Sequence, residues 1–253
     1  ASASPRSSSN CSAGERARPL PYAHGGRHGT QGRRVKRTTA PFDRARLATA
    51  EHHLLRDGRF ANARVERVRV DGTDWIFKDF STRAWWVRHG FGRFLLGREV
   101  RALQRLEGLP GIPSQAFRVD AFAMAARFVP GRTLGRVEMD EGRMSAEFLA
   151  ALEALLQQVH ARGLVHLDTR GGNNLLMQPD GAPGIIDFQA ALSTRWMPAA
   201  LRRWFEGLDL GGIYKKWQRF QPEAMGEQRR AHFERMNRWR RLWVFRGYFG
   251  LKK

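Results

Sequence analysis

The chain has 253 residues, 44 Lys and Arg against 24 Asp and Glu, a net charge of +20 and 42% hydrophobic residues. That apolar content is enough for a core and excludes wholesale disorder. The single cysteine, Cys11, excludes a disulfide framework and any cysteine-based metal site. No apolar run approaches the roughly 18 residues of a membrane span, and the first residues show no secretory-type apolar stretch. A soluble protein of a reducing, cytoplasmic setting is the expectation.

The charge is uneven. Residues 1–40 hold 8 Lys and Arg and 1 acid, residues 41–194 hold 21 and 18, and residues 195–253 hold 15 and 5. A nearly balanced middle is therefore flanked by basic ends, which favour polyanions such as anionic lipid headgroups, phosphorylated glycans or nucleic acid.

In chain order, residues 1–40 are rich in Ser, Gly and Arg without an apolar period, and read as a disordered basic tail. Helix signals run from Phe42 to Leu55. Residues 63–70 alternate, Asp71-Gly72 marks a turn, and Trp75-Ile76-Phe77-Lys78 returns as the second strand of a hairpin. Val100, Leu103 and Leu106 stand at helical spacing within residues 97–106. Residues 117–129 read as a strand ending at Pro130-Gly131. Ser145 caps a strong helix with the stripe Phe148, Leu149, Leu152, Leu155, Leu156 and Val159, and Gly163 stops it. Short strands are expected near residues 174–177 and 184–188, and the Arg- and Trp-rich remainder reads as helical. This order predicts an α+β fold of two lobes around a cleft, with a β-rich N-lobe at 41–130 and a short, mostly helical C-lobe at 131–253.

The stretch from Gly163 to Gln189, GLVHLDTRGGNNLLMQPDGAPGIIDFQ, carries the chemistry. His166-Leu167-Asp168 is followed by Asn173 five residues after the Asp, and Asp187-Phe188 closes a later strand. This resembles the catalytic segment of the protein-kinase-like superfamily, H-x-D-x-x-x-x-N followed by D-F-G. The resemblance implies ATP and Mg2+ as cofactors, with Asp168 as the base that takes the acceptor hydroxyl's proton and Asn173 and Asp187 as oxygen ligands of the metal. Arg170 could neutralise charge on the phosphoryl group in transfer. Lys78, the only Lys between residues 41 and 194, looks like the strand lysine that grips the phosphates. Glu99 on the following helix would be its partner, with Glu107 the weaker choice. His166 is a possible general base, but the resemblance implies a packed residue that holds the loop.

Several features depart from that pattern. The nucleotide-covering loop, DGRFANAR, offers only Gly58 for phosphate contact. Gln189 replaces the glycine of D-F-G, no A-P-E motif follows, and residues 190–253 are too few for the substrate lobe of eukaryotic protein kinases. A compact atypical kinase is expected, most similar to bacterial lipopolysaccharide core kinases that phosphorylate Kdo or heptose sugars, and to RIO-type kinases; aminoglycoside- and choline-type phosphotransferases share the same core but usually have larger C-lobes, and rank lower. Supporting features are Val129–Leu134 (VPGRTL) and the aromatic-basic insert of residues 81–99. The implied acceptor is a sugar hydroxyl of lipopolysaccharide or a related glycan. Trp85, Trp86, Phe91 and Phe94 among Arg83, Arg88 and Arg93, and Trp239, Trp243, Phe245, Tyr248 and Phe249 near the other end, suit an anionic membrane surface at the inner face of the cytoplasmic membrane; packing of the C-lobe core is the competing account. Nucleic acid is not the expected partner, because no recognised binding motif occurs. A RIO-like serine/threonine kinase or ATPase, and a nucleotide-binding pseudokinase scaffold, stay open.

Overall fold

The computed structural model describes residues 40–58 and 62–242. The tail expected over residues 1–40 lies outside them except for Ala40, as do the tip of the glycine-poor loop and the aromatic run from Trp243 onward.

The N-terminal part begins with a one-turn helix, α1 (Arg44–Leu47), capped by Asp43, whose carboxylate accepts from the Arg46 N–H. The helix expected from Phe42 to Leu55 stops there, and the chain continues as β1 (Glu51–Arg56). Every residue of β1 is exposed, so no apolar alternation marks it as a strand. Its partner decides the matter, since β1 pairs antiparallel with β2 (Arg64–Val70) from Glu51↔Arg69 onward. A tight turn at Asp71-Gly72, both with positive φ, returns the chain into β3 (Thr73–Asp79).

The strand expected over residues 117–129 is a hairpin, β4 (Phe117–Arg118) and β5 (Ala123–Arg127). Asp120 makes its turn, accepting from the Phe122 N–H at 2.6 Å. Among the described residues these strands form one antiparallel sheet in the order β1-β2-β3-β5-β4. One face buries Val68, Val70, Trp75 and Phe77 under Phe42 and Leu47, and Phe42, Trp75 and Phe117 meet edge to face at 5.0–5.7 Å. The insert after β3 winds through a wide helical turn (Val87–Gly92) into α2 (Arg93–Arg105). Leu96, Val100 and Leu103 of α2 join the main core.

The C-terminal part is mostly helical. β6 (Arg132–Thr133) leads into α3 (Leu134–Asp140), then α4 (Ala146–Ala161), β7 (Leu164–Val165), β8 (Leu175–Met177), β9 (Pro183–Ile185), β10 (Leu192–Ser193), α5 (Ala199–Phe220) and α6 (Gly226–Leu242). Ser145 accepts from the Phe148 N–H at 3.1 Å, the expected cap. The stripe of α4 is the centre of the core, with Leu149, Leu152, Leu156 and Val159 fully buried. Two small sheets, β6-β8-β9 and β7-β10, flank the polar loop that follows β7. Glu153 of α4 ties the helices together, accepting from the Tyr214 hydroxyl at 2.9 Å and from Arg229 Nε at 2.7 Å. A β-rich lobe against a helical lobe is the two-lobed, kinase-like α+β arrangement.

Candidate active site

Lys78 stands in the middle of the sheet, opposite Val65 on one side and Met124 on the other. Strand pairing therefore fixes where its amine projects. Nζ donates to Glu99 Oε1 at 2.7 Å, Glu99 Oε2 at 3.0 Å and Asp187 Oδ1 at 2.8 Å. Lys78 and Glu99 are almost wholly buried. An unpaired charge there would be costly, and the three groups settle one another. Burial drives the lysine pKa down, but Asp187 and Glu99 outweigh it and leave it raised. Burial pushes Glu99 up more than Lys78 holds it down. Burial also works against the Asp187 carboxylate, but Lys78, Arg56 and His166 hold its pKa below the ordinary value.

Glu99 is kept in place by its helix. Its neighbour Arg98 donates Nε to the Ala191 carbonyl at 2.6 Å and Nη2 to the Ala190 carbonyl, tying α2 to the segment after Asp187. Gln189 of that same segment favours the ionised Glu99 carboxylate, a use for the residue that replaces glycine. Glu107 lies outside this group, its carboxylate accepting from the Gln115 N–H.

The loop after β7 holds Asp168. His166 is fully buried, and its Nε2 donates to the Ile186 carbonyl at 3.0 Å while its Nδ1 accepts from the Asp168 N–H. Both ring nitrogens are thus engaged within the fold, and the ring meets Phe188 edge to face at 4.7 Å. Leu167 has φ of 65° and Asp187 of 64°, left-handed conformations uncommon outside glycine and least expected of the leucine. Asp209 of α5 enforces the first of them. Its carboxylate accepts from the His166 and Leu167 N–H groups, both at 2.6 Å, and its carbonyl accepts from Thr169 Oγ1. Sequence reasoning did not single out Asp209, because its partners are backbone amides and leave no motif.

Asn173 does not come to Asp168. The side chain that does is Asn174, whose Nδ2 donates to Asp168 Oδ2 at 2.8 Å and to its carbonyl at 3.2 Å. Asn173 Oδ1 faces α3, 3.3 Å from where a Cβ on Gly135 would stand. Asn174 stands six residues after Asp168, one beyond the motif spacing, and the loop between them closes against α3 at Gly172. Its carbonyl accepts from the Gly135 N–H, in an approach so close that a Cβ on Gly172 would lie 2.5 Å from that nitrogen. Asn174 also lies beside Asp187, since its carbonyl accepts from the Ile186 N–H. A signal was available: Asn174, not Asn173, directly precedes the strand.

Asp168 is exposed at the surface of its loop. Partial desolvation raises its pKa against the pull of Asn174 and His166, and Asp187 and Asp209 add to the rise. Arg170 lies against Asn237 Oδ1 of α6 at 3.4 Å. Gly58 is buried where the two arms of its loop touch; a Cβ there would meet the Ala63 and Asn62 carbonyls at 2.2 and 2.4 Å.

The residues fit a magnesium nucleotide. Among the described residues no group of three or more His, Cys, Asp and Glu could hold a metal. Mg2+ bound with a nucleotide needs only one or two protein oxygens, because water and phosphate complete its shell. Asp187 and Asn174 offer hard oxygens at adjoining strand ends, and Lys78 offers a cation beside them.

Residues 92–194 match the family described as the phosphotransferase enzyme family, a span holding Glu99, Asp168, Asn174 and Asp187. Over 111 residues, 41% of this chain, the sequence is 30% identical to a serine/threonine-protein kinase C of Synechocystis sp.. The chain spans 20% of that relative's length. With the two-lobed fold, these likenesses support a kinase-type phosphotransferase of protein-kinase-like character.

Proposed function

We propose that the protein transfers the γ-phosphoryl group of ATP, with Mg2+, to a sugar hydroxyl of lipopolysaccharide or a related glycan. The observation that carries the transferase reading is the Lys78 amine held between Glu99 and Asp187, with Asn174 and Asp168 on the adjoining loop. Lys78 would hold the α- and β-phosphates, and Asp187 with Asn174 the metal, which supplies charge neutralisation on the phosphates. Asp168 would orient the acceptor hydroxyl and take its proton. Its raised pKa brings it closer to the working pH than an ordinary carboxylate. Arg170, two residues after Asp168, would neutralise charge on the transferring group.

Two observations favour an acceptor at a membrane surface. Trp85 and Trp86 are each 69% exposed, and Phe91 and Phe94 at least half exposed, on the insert that leads into α2. No acid occurs between Phe80 and Arg98, so anionic headgroups would meet no repulsion there. No described helix is long and apolar enough to cross a membrane. A second reading, transfer to a Ser or Thr hydroxyl, is favoured by the name of the Synechocystis relative.

Transfer from labelled ATP to lipopolysaccharide core and to a panel of Ser/Thr peptides separates the two. The sugar reading expects label in the glycan and none with Asp168→Asn. Label in peptides alone would move the acceptor to protein, and label persisting in Asp168→Asn would remove Asp168 as the base.

A further inference from the structure

A cavity of about 510 Å3 opens between the ends of α2 and α4 and the segment joining β10 to α5, sharing no lining residue with the Lys78–Asp187 cleft. Arg105, Arg162, Arg195 and Arg202 line it, against the single carboxylate of Glu206. Two of these guanidiniums also serve the fold. Arg105 Nη1 donates to Ser193 Oγ at 2.8 Å and to the Gly163 carbonyl, and Arg162 Nη1 to the Arg105 and Glu107 carbonyls. The other two do not. Arg202 reaches Glu206 only at 3.8 Å, and Arg195 makes no hydrogen bond or ion pair among the described residues.

Thr194, also in the lining, is 1% exposed, and its buried Oγ1 has no hydrogen-bond partner. A buried hydroxyl without a partner is uncommon and calls for an explanation. Four cations facing one carboxylate leave a surplus of positive charge that an anion would neutralise. Guanidinium forks match phosphate oxygens in geometry, and the volume suits a small molecule.

We propose that this cavity binds a small phosphate-bearing anion, with Arg195 and Arg202 gripping its oxygens and Thr194 Oγ1 donating to one of them. The site is wired to the catalytic loop. His160, in the same wall, lies 3.2 Å from Asp209 Oδ2, the carboxylate that holds His166 and Leu167, and Arg105 shares α2 with Glu99. An anion here would join the far end of α2 to the base of that loop. The proposal does not rest on the transferase reading, and its test uses neither nucleotide nor turnover.

Isothermal titration calorimetry without Mg2+ or nucleotide, using inorganic pyrophosphate and glucose 1-phosphate as probes, distinguishes an inorganic anion from a phosphorylated sugar. Saturable binding of at least one probe is expected, about tenfold weaker in Arg195→Gln/Arg202→Gln and weaker in Thr194→Val. The control Arg101→Gln/Arg203→Gln removes equal charge outside the cavity and should bind as the parent does. Failure of both probes to bind, an unchanged affinity in the cavity pair, or an equal loss in the control pair would overturn the proposal.

Discussion

At the scale of single residues, the cleft is organised by one buried lysine shared between two carboxylates. Breaking such a group leaves a charge without compensation, whereas replacing it whole with apolar side chains need not cost much. Lys78→Met should therefore destabilise the fold by about 3 kcal/mol, and Lys78→Met/Glu99→Leu should recover part of that loss, as read by urea denaturation. Additive losses would show that Lys78 and Glu99 do not depend on each other. Asp168 gives a second residue-scale expectation. A base must be deprotonated to act, and its pKa in the fold lies above the ordinary 3.8. The acid limb of kcat/KM should therefore sit above 3.8, with activity falling as pH falls through it. A profile flat down to that value would deny Asp168 the role.

At the scale of elements, α5 presses on the loop that carries Asp168 through a glycine. Gly212 lies in the helix interior, where glycine costs about 1 kcal/mol relative to alanine. Its use is proximity: a Cβ there would lie 2.3 Å from Thr169 Oγ1 and 2.9 Å from the Arg170 nitrogen. Gly212→Ala should lower both kcat and thermal stability, while Gly142→Ala, where a Cβ meets nothing within 4 Å but φ is +65°, should cost stability and leave kcat alone. An unaltered kcat in Gly212→Ala would mean that the loop does not depend on this contact. The elements that the sequence made legible are those with strong periodicity or punctuation. They include the Ser145-capped helix, the Asp71-Gly72 hairpin, and the strand lysine with its helical glutamate. β1 escaped because its side chains are all exposed and its identity rests on backbone pairing with β2. Asn174 escaped because the motif spacing from Asp168 falls on Asn173, and only the folded loop sets that side chain beside Gly135 of α3 and leaves Asn174 to meet Asp168.

At the scale of the whole molecule, the sheet supplies Lys78, α2 supplies Glu99, and the short strands of the C-terminal lobe supply Asp168, Asn174 and Asp187. Each part is fixed by its own local pairing, and the cleft exists only where they converge. Counting charges along the chain put the basic surplus at its two ends and said nothing of which arginines meet in the fold. The gathering of four arginines between α2, α4 and α5 is tertiary, since Arg105, Arg162 and the stretch holding Arg195 and Arg202 come from separate parts of the chain. Calorimetric titration of ATP with and without Mg2+, in the parent chain and in Asp187→Ala, Asn174→Ala and Asn173→Ala, decides whether this cleft holds a magnesium nucleotide. The expected result is Mg2+-dependent binding that falls about tenfold or more in the first two variants and is unchanged in the third. Binding indifferent to Mg2+, or a loss confined to Asn173→Ala, would contradict it.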